Sequence, residues 1–150
     1  MRRILIDGLA TFFGSGYFPV APGTLASLII ALGYRFWFHN ISWPLYLIIG
    51  LVGYFVGVWA SSLYATRRKI EDPRTVVIDE VVGQWIALLL VPPTWWMVLA
   101  SFFLFRFFDI IKPLFIHKAE SFRGGWGIML DDILAGIYAS IVLNVLLLVL

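Results

Sequence analysis

Asp79 and Glu80 are neighbours in VVIDEVVGQW, with apolar residues on both sides. Asp131 and Asp132 are neighbours again in GIMLDDILAG, and Asp109 lies between Arg106 and Lys112 in FRFFDIIKP. One acid at a helix start is explained by the macrodipole, worth roughly 0.3–1 kcal/mol, or by N-capping. Two adjacent acids in apolar sequence repel each other and resist burial unless they share a cation. The chain has no cysteine, and an all-oxygen ligand set points to a hard cation, Mg2+ first. Arg106 and Asp109, and Asp109 and Lys112, are three residues apart and within side-chain reach on a helix. Intrahelical salt bridges and snorkelling account for Lys112. Arg106 stands about 9 Å deeper at 1.5 Å per residue, and a buried guanidinium fork suits a phosphate. A divalent ion with basic residues at a lipid–water boundary is equipment for a phosphorylated lipid headgroup. The ion would neutralise phosphoryl charge and could supply a hydroxide nucleophile.

The elements that must position these residues are read from hydropathy. Of 150 residues, 61% are hydrophobic and 13% charged, and the mean hydropathy is +0.93. A soluble domain is about a quarter charged, so the solvent is read as lipid and the fold as all-α. The expectation is one polytopic membrane helix bundle over residues 1–150, with about five membrane-embedded helices. The apolar segments are 24–38, 45–66, 76–91, 95–112 and 131–150. A spanning helix needs about 20 residues, so the first and third are short. Pro113 sets the end of the fourth. The start, MRRILIDGLATFFGSG, has a short apolar run holding Asp7, and is read as a retained amphipathic or half-buried segment rather than a cleaved signal. Gly53, Gly57 and Ser61, and Gly136, Ser140 and Asn144, recur at intervals of four, as close helix packing requires, with Asn144 making an interhelical hydrogen bond.

Ten of the eleven basic residues fall on one side of these segments, Arg35 being the exception, and the connectors 39–44 and 92–94 have none. The positive-inside rule then places the N-terminus in the cytoplasm. It also explains the net charge of +2 and pI near 9.1 without nucleic acid. All nine acids lie on that same side, which fits a shared cytoplasmic site and not the distributed acids of an ion carrier. Two loops enter the site. In GSGYFPVAPGTLASL, Thr24 or Ser27 is placed to cap the first span, and backbone amides near Gly23 and Thr24 suit an anion. Gly124, Gly125 and Gly127 permit a tight turn with room for a ligand before Asp131.

At these residues the chain resembles the phosphatidylglycerophosphatase A family of bacterial membrane enzymes. Gly14, Gly16, Pro19, Ala21, Pro22, Gly23 and Thr24 match its Gly/Pro loop, and DPRTVVIDEVVGQ at 72–84 matches its acidic motif. LFRFFDIIKP followed by GGWGIMLDDILAG matches its third motif. The pattern has a basic residue in many members where this chain has Val20, and it has no counterpart of His117, read here as an interfacial loop histidine. The resemblance implies a Mg2+-dependent phosphomonoesterase of the bacterial inner membrane. Its substrate would be phosphatidylglycerophosphate and its products phosphatidylglycerol and phosphate. It implies catalytic and metal-binding roles for Asp79, Glu80, Asp109, Asp131 and Asp132, with Arg106 and Lys112 on the phosphoryl oxygens. An acid outside the metal shell would serve as general base to water or general acid to the glycerol oxygen, and a covalent aspartyl-phosphate is the rival route. The partners expected are the phospholipid and the bilayer, and the pattern carries no signal for an oligomeric state. A headgroup phosphotransferase, the alternative enzyme, would show a clustered Asp–Gly–Ala–Arg spacing that this chain lacks. Cysteines placed at Asn40 and Ser121 are expected to label from opposite sides of the membrane; labelling from one side would contradict the topology.

Overall fold

The structure, a computed structural model, describes residues 2–113, 116–119 and 122–149. The side chains of Arg2, His117 and Lys118 lie outside that description, so the expectation for His117 falls outside the described residues. Among the described residues every regular element is helical. Helices α1 (Arg2–Ala10), α2 (Pro22–Phe36), α3 (Trp43–Arg68) and α4 (Ile78–Ala87) are followed by α5 (Trp95–Ile111), the short α6 (Ile116–Ala119) and α7 (Gly125–Val149). One-turn 3-10 segments at Ser15–Tyr17 and Phe38–Asn40 bracket α2.

The segment at the N-terminus is an amphipathic helix. Ile6 and Ala10 are buried against the bundle, whereas Ile4 and Leu5 are exposed, and Arg67 at the end of α3 pairs with Asp7 at 3.2 Å. Helix α2 starts two residues earlier than the first apolar segment suggests. Pro22 takes the first position, where its missing N–H costs nothing. The expected cap does not form. Ala21 is the N-cap without a side-chain bond, and Ser27 Oγ donates back to the Gly23 carbonyl at 2.9 Å. Thr94 caps α5, accepting from the Met97 amide at 3.4 Å.

Helices α3 and α7, at 26 and 25 residues, are long and apolar enough to cross a membrane. Helices α2, α4 and α5 have 15, 10 and 17 residues. The third segment, expected over 76–91, thus yields only a ten-residue helix. Leu90 has a positive φ of 60°, and Pro92 and Pro93 deny the chain further helical amides. The carbonyls released at this end are satisfied from all around. Tyr46 Oη donates to the Trp85 carbonyl at 2.7 Å, Asn144 Nδ2 to the Leu89 carbonyl at 3.1 Å, and Tyr34 Oη to the Val91 carbonyl. Asn144 thus bonds from α7 to the turn that follows α4, not to another helix as expected. Arg35, the outlying basic residue, lies 5.1 Å from the Trp95 ring, beside the exposed Trp37, Trp43 and Trp96 at this end of the bundle.

Helix α4 packs against α2, α3, α5 and α7. Gly136 of α7 lies against the backbone of Gly83 in α4, so a Cβ there would overlap the Gly83 carbonyl oxygen. Overpacking of this kind costs about 1–3 kcal/mol. Gly136→Ala is expected to lower the unfolding midpoint of the detergent-purified protein, and Gly8→Ala, whose Cβ would meet nothing within 4 Å, is expected to leave it unchanged or raise it. Equal effects would contradict the close α4–α7 contact.

Candidate active site

Four elements deliver the charged residues to one cleft. The first turn of α4 carries Asp79 and Glu80. The last turns of α5 carry Arg106 and Asp109, and Lys112 is its C-cap in the left-handed conformation, φ 48°. Helix α7 begins at Gly125, six residues before Asp131, after a turn at Gly124 with φ 64°. N-capping therefore does not account for Asp131 and Asp132, since both lie in the second turn of the helix, with Asp132 and most of Asp131 buried. The fourth element is the start of α2. A Cβ on Gly23 would overlap Glu80 Oε1, so only glycine lets α2 approach the α4 carboxylates this closely.

Within the cleft the five acids divide into two groups. Asp79, Glu80 and Asp132 each offer a carboxylate oxygen, and these lie within 4.8 Å of one another. Asp79 Oδ1, Glu80 Oε2 and Asp132 Oδ2 are buried, with no hydrogen-bond partner among the described residues. Buried carboxylate oxygens are normally paired, and three together repel strongly unless a cation joins them. This group could hold a divalent metal. The other two acids already face cations. Asp109 Oδ2 is 2.7 Å from Arg106 Nη1, which also lies 3.9 Å from Glu80 Oε1. Lys112 Nζ donates to Asp131 Oδ2 at 2.7 Å, reaching across to α7 because the helix ends at Ile111.

The cleft encloses about 550 Å³ and is lined by all five acids, Arg106, Lys112 and Gly23. Thr24 is not among the residues lining it. Two lining residues that the sequence placed in the matched 72–84 motif without a site role are Asp72 and Arg74. Arg74 is exposed and makes no ion pair among the described residues, so its charge is uncompensated where those of Arg106 and Lys112 are not. Its place five residues before Asp79, on a short tether, is the signal that could have found it. The tether is fixed. Tyr64 Oη is 2.9 Å from Thr75 Oγ1 and 3.3 Å from Tyr17 Oη, and the Val77 amide donates to the Ala10 carbonyl at 3.0 Å. The hydrogen bond to Tyr64, aided by burial, pushes the Tyr17 hydroxyl above its ordinary pKa and keeps it neutral.

An all-helical chain whose helix ends bring a carboxylate trio and three cations to one cleft has the outfit of a site for a phosphorylated substrate. Residues 8–147 match the model of the family described as Phosphatidylglycerophosphatase A. The chain belongs to this family. A Bacteroides thetaiotaomicron protein provisionally named phosphatidylinositol-3-phosphatase is 46% identical over 145 residues, covering 91% of this chain and 90% of the relative. The phosphatidylglycerophosphatase A of Escherichia coli is 37% identical over 134 residues, covering 88% and 77%. That of Haemophilus influenzae is 38% identical over 136 residues, covering 89% and 83%. No solved structure matches the chain.

Removing Arg106 would leave Asp109 mostly buried without its cation, a loss of about 2 kcal/mol for a pair this sheltered. Arg106→Met is expected to lower the unfolding midpoint, and adding Asp109→Asn is expected to restore part of it. An additive second loss would contradict the pairing.

Proposed function

We propose that this protein hydrolyses the terminal phosphomonoester of phosphatidylglycerophosphate, giving phosphatidylglycerol and inorganic phosphate, with Mg2+ as cofactor. The observation that carries this is the trio of unpartnered, buried carboxylate oxygens of Asp79, Glu80 and Asp132 beside Arg74, Arg106 and Lys112. The family membership supports the substrate. All-oxygen donors suit Mg2+, and Asp79, Glu80 and Asp132 would hold it. When bound, the ion supplies neutralisation of phosphoryl charge and acidification of water. Arg74, which has no ion pair among the described residues, binds the phosphoryl oxygens. Asp109 orients Arg106, and Asp131 orients Lys112, so that both present donors to the same group. The oxygen of water forms the new bond to phosphorus, and the bond from phosphorus to the glycerol oxygen breaks. Asp131 Oδ1 has no hydrogen-bond partner among the described residues. With its proton on Oδ1 and Oδ2 accepting from Lys112, Asp131 donates the proton that the leaving alkoxide needs, and the proton given up by the attacking water returns Asp131 to the acid form through solvent.

The same reading sets the protein in the bacterial inner membrane with the cleft at the cytoplasmic face. The one-sided basic residues support that orientation. Helices α3 and α7 cross the bilayer, and α2, α4 and α5 are embedded. The short α4 is tolerated because carbonyls at its end and in the turn beyond it are satisfied by protein. A second reading, hydrolysis of a 3-phosphoinositide, is favoured by the name of the Bacteroides relative and would use the same site.

Phosphate release from phosphatidylglycerophosphate is expected with Mg2+ and lost with EDTA. Asp79→Asn and Asp132→Asn are each expected to lower kcat/KM at least about a hundredfold, the several kcal/mol of charge stabilisation a metal contributes. Release that survives EDTA would sink the metal reading and leave the substrate standing. Asp131→Asn is expected to cost about a hundredfold or more on the phospholipid, as loss of a general acid does. It should cost far less on p-nitrophenyl phosphate, whose leaving group needs no proton. Equal losses on both would remove Asp131 from the proton-donor role.

A further inference from the structure

The carboxylate cleft does not end at Asp131. A second cavity of about 520 Å³ adjoins it, and the two share Asp72 and Asp131 as walls. The rest of the second cavity is formed by Glu71, Phe122, Arg123, Gly124 and Gly127, with Ile128 behind them. None of these takes part in the phosphoryl chemistry. Among the described residues Arg123 is the one cation lining this cavity, and it makes no ion pair. Phe122 beside it is 59% exposed and Trp126 46% exposed, as aromatic side chains at a lipid headgroup boundary are. The cavity thus runs from Asp131, in the wall it shares with the carboxylate cleft, to the Arg123 guanidinium beside the exposed Phe122.

We propose that this second cavity is a subsite for the remainder of the headgroup, in which Arg123 pairs with the phosphodiester that joins a polyol to diacylglycerol. The proposal rests on the phosphomonoesterase reading above. A phosphodiester keeps one negative charge and two free oxygens, which a guanidinium fork meets in bidentate fashion. Glu71 accepts a hydrogen bond from a polyol hydroxyl. Asp131, in the wall common to both cavities, then stands beside the oxygen that links polyol to phosphomonoester, where a general acid is needed. The substrate class defined this way is a phospholipid carrying phosphodiester, polyol and phosphomonoester in that order. Phosphatidylglycerophosphate and phosphatidylinositol 3-phosphate both qualify. Phosphatidic acid, whose monoester sits directly on diacylglycerol, does not.

The test compares kcat and KM for these three lipids in mixed micelles with Mg2+, for the wild-type protein, Arg123→Ala and Arg123→Lys. The wild type is expected to prefer the two diester-bearing lipids, and the one with the higher kcat/KM identifies the polyol. In Arg123→Ala, KM for both is expected to rise about tenfold or more, the loss of one charge-assisted contact, with kcat changed little. The preference over phosphatidic acid should collapse accordingly, and Arg123→Lys should recover part of it. An unchanged preference in Arg123→Ala overturns the subsite while leaving the phosphatase reading standing. Release from none of the three lipids by the wild type overturns both.

Discussion

A ten-residue helix leaves its last carbonyls without intrahelical partners, and in α4 those groups lie among apolar side chains. Each must find a donor in another element or cost the full penalty of an unmet polar group. Tyr46 of α3 reaches the Trp85 carbonyl of α4, and Asn144 of α7 and Tyr34 of α2 reach the Leu89 and Val91 carbonyls of the segment that follows it. The same three helices flank α4 along its length, and glycines at 83 and 136 let the α4 and α7 backbones touch. The position of Asp79 and Glu80 follows from this clamp. With one end of α4 tied to its neighbours, the other presents two carboxylates at a fixed depth opposite Asp132 of α7.

Electrostatics then separates acids of one chemical type into different tasks. Asp109 and Asp131 each have a cation at 2.7 Å, Arg106 on Asp109 Oδ2 and Lys112 on Asp131 Oδ2, whereas Asp131 Oδ1 has no partner among the described residues. Asp79, Glu80 and Asp132 keep oxygens that no side chain among the described residues satisfies. Groups left this way in an otherwise well-paired interior mark where a ligand belongs. Gly23 completes the arrangement by subtraction, since any side chain there would displace the Glu80 carboxylate.

Much of this was legible from residue types alone. Paired acids in apolar sequence pointed to the shared site because burial makes their repulsion costly, and all five line one cleft. The all-helical fold and the two longest segments followed from hydropathy. Boundaries followed less well, for local reasons. The apolar run through Leu88–Val91 reads as helix, yet Leu90 takes a positive φ and the donors that permit the break come from residues distant in sequence. Asp131 and Asp132 read as a helix cap because the glycines before them read as loop, whereas α7 begins within those glycines. Ser27 bonds within its own helix because Pro22 had already started it. Arg74 was given no site role, since nothing in a basic loop tells which cation folds toward a cleft.

The proposed holding of one divalent cation by Asp79, Glu80 and Asp132 together is tested most directly by binding of Mn2+, a paramagnetic stand-in for Mg2+, to the detergent-purified protein, followed by electron paramagnetic resonance. Stoichiometric binding that Mg2+ displaces is expected, weakened severely in Asp79→Asn and in Asp132→Asn while both variants keep the unfolding midpoint of the parent or exceed it. Mn2+ binding that is indifferent to both substitutions would contradict it.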